Sequence, residues 1–252
     1  MHLFAGAGGG LLADLILGHE PIAAVEWDAY CCAVLRERAS EGWFPGLQVF
    51  EGDVRMFDPS EYKGRVDCIH AGFPCQDISQ AGKQAGVGEG TRSGLYREVL
   101  RIADVVRPSF LFLENVSAIL NNGLGTVLGD LAARGYDGRW CCLRASDVGA
   151  NHKRDRWWML AYHYRFGLEK DTNKTAICGE ADNAWDNGHI RSIHGEGLSE
   201  YEKVYSMVPE PSFVGLDARV PFSVDRIKAC GNSQVPLQAA VAFKILMRGL
   251  LV

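Results

Sequence analysis

Leu3-Phe4-Ala5-Gly6-Ala7-Gly8-Gly9-Gly10-Leu11-Leu12 runs from an apolar start through four glycines into Leu15, Ile16 and Leu17, and Gly18 stops it. This reads as strand, glycine turn and helix. Glycine lets a ligand lie against bare backbone where the first N–H groups of a helix have no internal partner. The next apolar run, Pro21-Ile22-Ala23-Ala24-Val25, delivers Glu26 where a carboxylate accepts hydrogen bonds from a ribose diol. These features suit any nucleoside-bearing cofactor, and a merely structural tight turn is the other reading. The dinucleotide fingerprint wants a third glycine at the place that Leu11 fills, counting from Gly6 and Gly8. That weakens pyrophosphate binding and, with it, an NAD-dependent oxidoreductase.

Working outward, Trp27 either lays its ring on an adenine face or fills the core at a strand end. Val49-Phe50-Glu51-Gly52 leads to Asp53, which either accepts from an exocyclic amine or caps a turn. Strand, helix, strand, helix over 28–40 and strand again make the first half of a doubly wound sheet. The expected class is therefore α/β with a mostly parallel, doubly wound sheet.

The second half opens on Val66-Asp67-Cys68-Ile69-His70, a short buried strand followed by Ala71-Gly72-Phe73-Pro74-Cys75-Gln76. Gly72 and Pro74 stiffen the turn, so Cys75 is displayed in one orientation as a nucleophile, unless it is an ordinary small apolar residue. Residues 80–94 are glycine-rich and polar, with Lys83 and Arg92, and read as a lid over a polyanion. Leu95, Val99, Ile102 and Val106 recur at helical spacing before Pro108, and the strand 109–113 delivers Glu114-Asn115-Val116. Ligands bind outside the carboxyl ends of parallel strands, so Cys75 and Glu114, each placed just past a strand end, open on the same side as Glu26 and Asp53. Further on, alternation sends Arg154 and Arg156 to one face of a strand, as a solvated edge or as contacts to phosphate or a base carbonyl.

Composition leaves partners open. The 252 residues are 47% hydrophobic, enough for a sizeable core, and no apolar run nears the ~20 residues that span a bilayer. No secretion signal is recognisable at the N-terminus, so a soluble, cytoplasmic protein is expected. The eight cysteines show no C-x-x-C spacing and read as reduced thiols, with no metal site expected. A net charge of −5 argues mildly against a protein that coats nucleic acid, although a local basic cleft can still bind it.

Phe4-Ala5-Gly6-Ala7-Gly8-Gly9, Glu26-Trp27-Asp28, Asp53-Val54, Gly72-Phe73-Pro74-Cys75-Gln76, Glu114-Asn115-Val116, Arg154-x-Arg156 and Gly231-Asn232-Ser233-Gln234-Val235-Pro236 together resemble the ordered motif series of the DNA cytosine-5 methyltransferases. The resemblance covers most of 1–160 and about 219–252. It implies the S-adenosylmethionine-dependent methyltransferase fold and transfer of a methyl group to C5 of a flipped-out cytosine through a Cys75–C6 adduct. By the same resemblance Glu114 serves the cytosine N3 and exocyclic amine, and Arg156 with Arg154 the O2 side. Phe4, Glu26, Trp27, Asp53 and Val54 would line the adenosine pocket, with Gly6, Gly8, Gly9, Pro74, Asn232 and Ser233 completing the cofactor site. Asn232 and Ser233 are expected to open the final helix. Gln76, Ser79, Lys83, Arg92 and Asn115 would meet substrate, which is double-stranded DNA.

The resemblance divides the chain into a catalytic and cofactor-binding domain over 1–162, a short target-recognition region over 163–218 and a C-terminal return over 219–252. The middle region is Gly-, Asn- and acid-rich, too small for a large base-reading surface, so short or relaxed specificity is expected. His152 stands where the family commonly has glutamine. Such a protein would be a monomer of the bacterial cytoplasm, or phage-encoded there, with a cognate restriction nuclease as a candidate partner. The same chemistry on RNA and a non-catalytic DNA-binding role are the alternatives. Against the latter, Cys75 and the cofactor residues are all present.

Overall fold

β1 (His2–Leu3) is two residues long, yet the sheet is built around it. In the computed structural model, which describes residues 1–74, 94–121, 123–163, 185–186, 189–190, 229, 233–248 and 250, β1 pairs in parallel with β2 (Ala23–Glu26) and β4 (Cys68–Gly72). β2 pairs in turn with β3 (Gln48–Glu51), and β4 with β5 (Phe110–Val116), both in parallel. β7 (Asp155–His163) runs antiparallel between β5 and β6 (Tyr136–Arg144). Two further two-residue strands, β8 (Trp185–Asp186) and β9 (His189–Ile190), extend the β6 edge, for an order of β3-β2-β1-β4-β5-β7-β6-β9-β8. The chain winds outward from β1 in one direction, then returns to β4 and winds in the other. The switch point between β1 and β4 is where an open α/β sheet forms its ligand crevice.

Alternation along the strands gives the sheet two buried faces. Leu111, Leu113, Trp157 and Met159 join one core with α3 (Gly94–Val106) and α4 (Leu124–Ala132). Phe112, Trp158, Leu160 and Leu143 join the other, against α5 (Pro236–Met247) and Ala13 of α1 (Gly9–Leu17). Here Phe112 stacks on Trp158 and meets Phe243 edge-on, with ring centroids 5.2 Å apart in each pair. α2 (Ala29–Ser40) starts because the Asp28 side chain accepts from the N–H groups of Tyr30 and Cys31, and its Leu35 packs with Leu11 and Phe44. Among the described residues no helix is long and apolar enough to cross a membrane. Cys31, Cys32, Cys68, Cys141 and Cys142 form no disulfides.

Two boundaries differ from the sequence reading. Glu114 lies inside β5 rather than beyond its end, because antiparallel β7 continues the pairing, Glu114 opposite Trp158 and Val116 opposite Arg156. The last helix opens at Pro236, not at Asn232 and Ser233: Val235 is its N-cap, and proline at the first turn lacks only an N–H that would be unpaired anyway. Apart from His163 and the four residues of β8 and β9, the expected target-recognition region over 163–218 lies outside the described residues.

Candidate active site

A cleft opens at the carboxyl ends of β1 and β4, lined by Phe4, Ala5, Gly6, Gly72, Glu114, Ser233 and Gln234, with His2 and His70 also contributing. Glu114 is 12% exposed and sits in parallel register with Gly72. Arg156, one diagonal step along β7, brings its Nε to 2.8 Å from Glu114 Oε1. Gln234 Nε2 faces the other carboxylate oxygen, Oε2, at 3.4 Å. Burial pushes the Glu114 carboxyl above its ordinary range, against the opposing pull of Arg156, Gln234 and Arg154. An acid held this way gives and takes a proton near neutral pH more readily than an exposed one.

Asn115 is buried and spends both ends of its amide on backbone: Nδ2 donates to the Phe73 carbonyl at 3.0 Å, and Oδ1 accepts from the Val116 N–H at 2.8 Å. It thereby ties the turn that leads through Pro74 to strand β5. Cys75, Gln76, Ser79, Lys83, Arg92 and Asn232 lie outside the described residues.

Arg154 precedes β7 in a left-handed conformation, φ 27°. Its Nη2 donates to the Ser233 carbonyl at 2.7 Å, and its own carbonyl accepts from Gln238 Nε2 at 3.0 Å. Gln238 is fully buried and also donates to Leu143 O at 2.7 Å. Arg154 thus fastens the C-terminal segment to the sheet, whereas Arg156 addresses Glu114.

On the β1 side, Glu26 is buried and accepts from Gly6 N–H at 2.7 Å through Oε2, and from the N–H groups of Trp27 and Asp28 at 2.9 Å through Oε1. It shapes the glycine turn. Gly8 is the left-handed N-cap of α1, φ 97°. A Cβ on Gly9 would sit 2.2 Å from the Gln234 carbonyl oxygen, so that glycine's bareness admits the C-terminal segment, whereas a Cβ on Gly6 would meet nothing. Phe4 holds φ 58°, which costs a non-glycine residue roughly 1–2 kcal/mol and is commonest at functional sites. Trp27 is 76% exposed, so the core reading of its ring does not hold. Asp53 caps the 3-10 turn Val54–Met56 through the Arg55 N–H, and its other oxygen pairs with Arg55 Nη2 at 2.9 Å. Val54 is buried behind it.

Sequence reasoning missed His2, Asp14 and His70. His2 Nε2 and Asp14 Oδ2 are 2.6 Å apart, His19 Nδ1 reaches Asp14 Oδ1 at 3.4 Å, and the His70 ring packs at 4.8 Å from His2. Isolated histidines and one acid spread over two strands and a helix carry no spacing signal.

The C-5 cytosine-specific DNA methylase family model matches residues 1–206. The chain belongs to that family. Its sequence is 35% identical over 232 residues to the Type II methyltransferase M.CviJI of Paramecium bursaria Chlorella virus IL3A, which takes in 86% of this chain and 58% of the viral enzyme. To the Type II methyltransferase M.NgoMIV of Neisseria gonorrhoeae it is 30% identical, over 75% of this chain and 63% of that enzyme. This C-5 cytosine methylase family member thus spans little more than half the length of these relatives. Its fold matches the crystal structure of a DNMT2 variant from Spodoptera frugiperda with a TM-score of 0.56 at 21% identity, over 70% of this chain and 53% of the other.

Proposed function

We propose that this family member transfers a methyl group to C5 of cytosine in double-stranded DNA. The observation that carries the proposal is the buried Glu114–Arg156 pair, which opens on the glycine-lined cleft beside the turn leading to Cys75. The Type II methyltransferase relatives from Neisseria gonorrhoeae and a Chlorella virus, and the fold's likeness to an Escherichia coli prophage protein assigned as a DNA modification methyltransferase, support DNA as the substrate and a bacterial or viral setting, beside a cognate nuclease.

C5 of cytosine is a poor nucleophile until C6 is attacked. The Cys75 thiolate forms the Sγ–C6 bond, and the ring electrons shift toward C5 and N3. Glu114 shares its proton with N3 and so stabilises the charge that develops, while Arg156 fixes the carboxyl and faces O2. S-adenosylmethionine, when bound, supplies the electrophilic methyl group that C5 takes. Transfer of the C5 proton to a water then re-forms the C5–C6 double bond and expels Cys75 as thiolate. The base must leave the stack to be reached, at a cost of a few kcal/mol.

The residues on the β1 side fit such a cofactor. A carboxylate offers about four lone-pair sites. Glu26 fills three with backbone N–H groups, which leaves Oε2 able to accept a ribose hydroxyl. Asp53 and Arg55 are both well exposed, so their ion pair is weak and yields to an adenine amine. Trp27 presents an open ring face, and Phe4, Val54, Gly6, Gly8, Pro74, Asn232 and Ser233 would complete the pocket.

The test is incubation of the chain with tritiated S-adenosylmethionine and duplex DNA carrying 5-fluorocytosine, followed by a denaturing gel. A labelled protein–DNA adduct is expected, because fluorine does not leave as a proton does. The Cys75→Ala protein should form none while still binding cofactor. An adduct with Cys75→Ala, or none with the wild-type chain, overturns the reading.

A further inference from the structure

The Gln234 side-chain amide is held between two glycines on different elements. A Cβ on Gly72, at the end of β4, would lie 2.8 Å from Gln234 Nε2, and one on Gly10, in α1, 2.8 Å from Gln234 Oε1. The slot exists because neither residue has a side chain. Its orientation is dictated by what it meets: Nε2 faces Glu114 Oε2 at 3.4 Å, and the flipped amide would set a carbonyl oxygen against that carboxylate. At the opposite end the space over Gly10 is shared with the His70 and His2 rings. Arg154 holds the neighbouring Ser233 carbonyl, so the segment bearing Gln234 is anchored independently of the amide.

The two oxygens of Glu114 are therefore served by different donors. Arg156 takes Oε1 with a full positive charge. Oε2, the oxygen left to carry a proton, has the neutral amide beside it among the described residues, with the Arg154 charge acting from farther off. We propose that Gln234 is a positioning residue for methyl transfer, fixing Oε2 of Glu114 and setting how readily that oxygen takes up and gives back its proton. The proposal rests on the preceding reading only for the proton's use on the base. A donor aimed at a carboxylate favours its ionised form, so Gln234 counteracts the burial that would otherwise lock Glu114 protonated.

The experiment follows the Glu114 carboxyl directly by 13C NMR of the whole chain labelled at the glutamate side-chain carboxyl carbons, without DNA. In Gln234→Met, which keeps the volume and removes the donor, the Glu114 titration midpoint should move up by about half a unit to one unit. Single-turnover methyl transfer should fall by about tenfold, with cofactor affinity within about twofold of wild type. A role in packing alone would leave the midpoint in place. Gln234→Glu, which sets a second carboxylate beside Oε2, should raise the midpoint too and serves if the Met variant does not fold. An unmoved midpoint in a folded variant overturns the proposal even where the wild-type chain is active. A raised midpoint in a chain that methylates nothing instead upholds the role of Gln234 and removes the assigned activity.

Discussion

Glu114 and Arg156 form a largely buried ion pair, a carboxylate at 12% exposure gripped by a guanidinium at 21%. Removing one partner of such a pair leaves a costly buried charge, by about 3–5 kcal/mol if Glu114 stays ionised. Arg156→Ala should therefore leave Glu114 protonated to higher pH and lower methyl transfer by about a hundredfold or more. Arg156→Lys should recover only part of that, since an ammonium lacks the planar fork. Steady-state methylation assays, with circular dichroism to confirm folding, check both. Retention of wild-type rates in Arg156→Ala would remove the pair from the mechanism. At this scale the sequence singled out Glu26, Glu114 and Arg156 as site residues but left Gln234 without a role. Its role depends on the missing side chains of Gly10 and Gly72, which only the fold brings together. Nor did spacing show that Asn115 and Arg154 spend their polar atoms on the Phe73 and Ser233 carbonyls, because both partners are backbone.

Among the elements, the alternating strands and 3.6-residue periods were legible in the sequence, and the boundaries less so. β5 ran on past Glu114 because its partner β7 is antiparallel and comes from later in the chain, which no local pattern reveals. The return of the C-terminal segment to the catalytic domain was expected from the family resemblance, but no local pattern showed its seat on α1, and two glycines separate the consequences of close packing. A Cβ on Gly9 would meet the Gln234 carbonyl oxygen at 2.2 Å and Ser233 Oγ at 2.5 Å, so Gly9→Ala must lift that segment. A Cβ on Gly138 in β6 would lie as near to Met159, but to its terminal Cε, which can swing aside. Urea unfolding should show Gly9→Ala destabilised by about 1–3 kcal/mol and Gly138→Ala by less than about 1 kcal/mol. Equal losses would mean that the segment yields as easily as a methionine methyl.

For the whole molecule, the buried polar cluster behind the cleft contributes to the response to acid. His70 sits against Phe112, with ring centroids 4.7 Å apart, and against His2 at 4.8 Å, while the His2 ring meets Asp14. Burial lowers His70 well below the ordinary histidine value, and the neighbouring His2 adds to the shift. Burial likewise lowers His2, against the pull of Asp14. Burial alone would raise Asp14, but the contacts with His2 and His19 outweigh it and hold its carboxyl far below the carboxylate range. A histidine whose folded pKa lies below its unfolded value of about 6.5 takes up its proton only on unfolding, so the unfolded chain gains as pH falls. Its stabilising contribution is intact above pH 6.5 and declines below it, by up to about 1.4 kcal/mol per pH unit for each such histidine. Asp14 acts in the same direction but below its unfolded value of about 3.9, outside that window. Burial raises the Glu114 carboxyl, which works the other way by favouring the folded chain as pH falls toward the unfolded carboxyl value, so the histidine contribution is read by denaturant unfolding at pH 7.5, 6.5, 5.5 and 5.0 as a difference between wild type and a His70 variant. In His70→Phe, a ring that suits the packing on Phe112, the slope below pH 6.5 should shrink by about one proton's worth. If the slope of His70→Phe matches wild type, His70 is not among the groups that carry the acid response. Any fall in stability would then have to come from His2 alone or from residues away from the cleft.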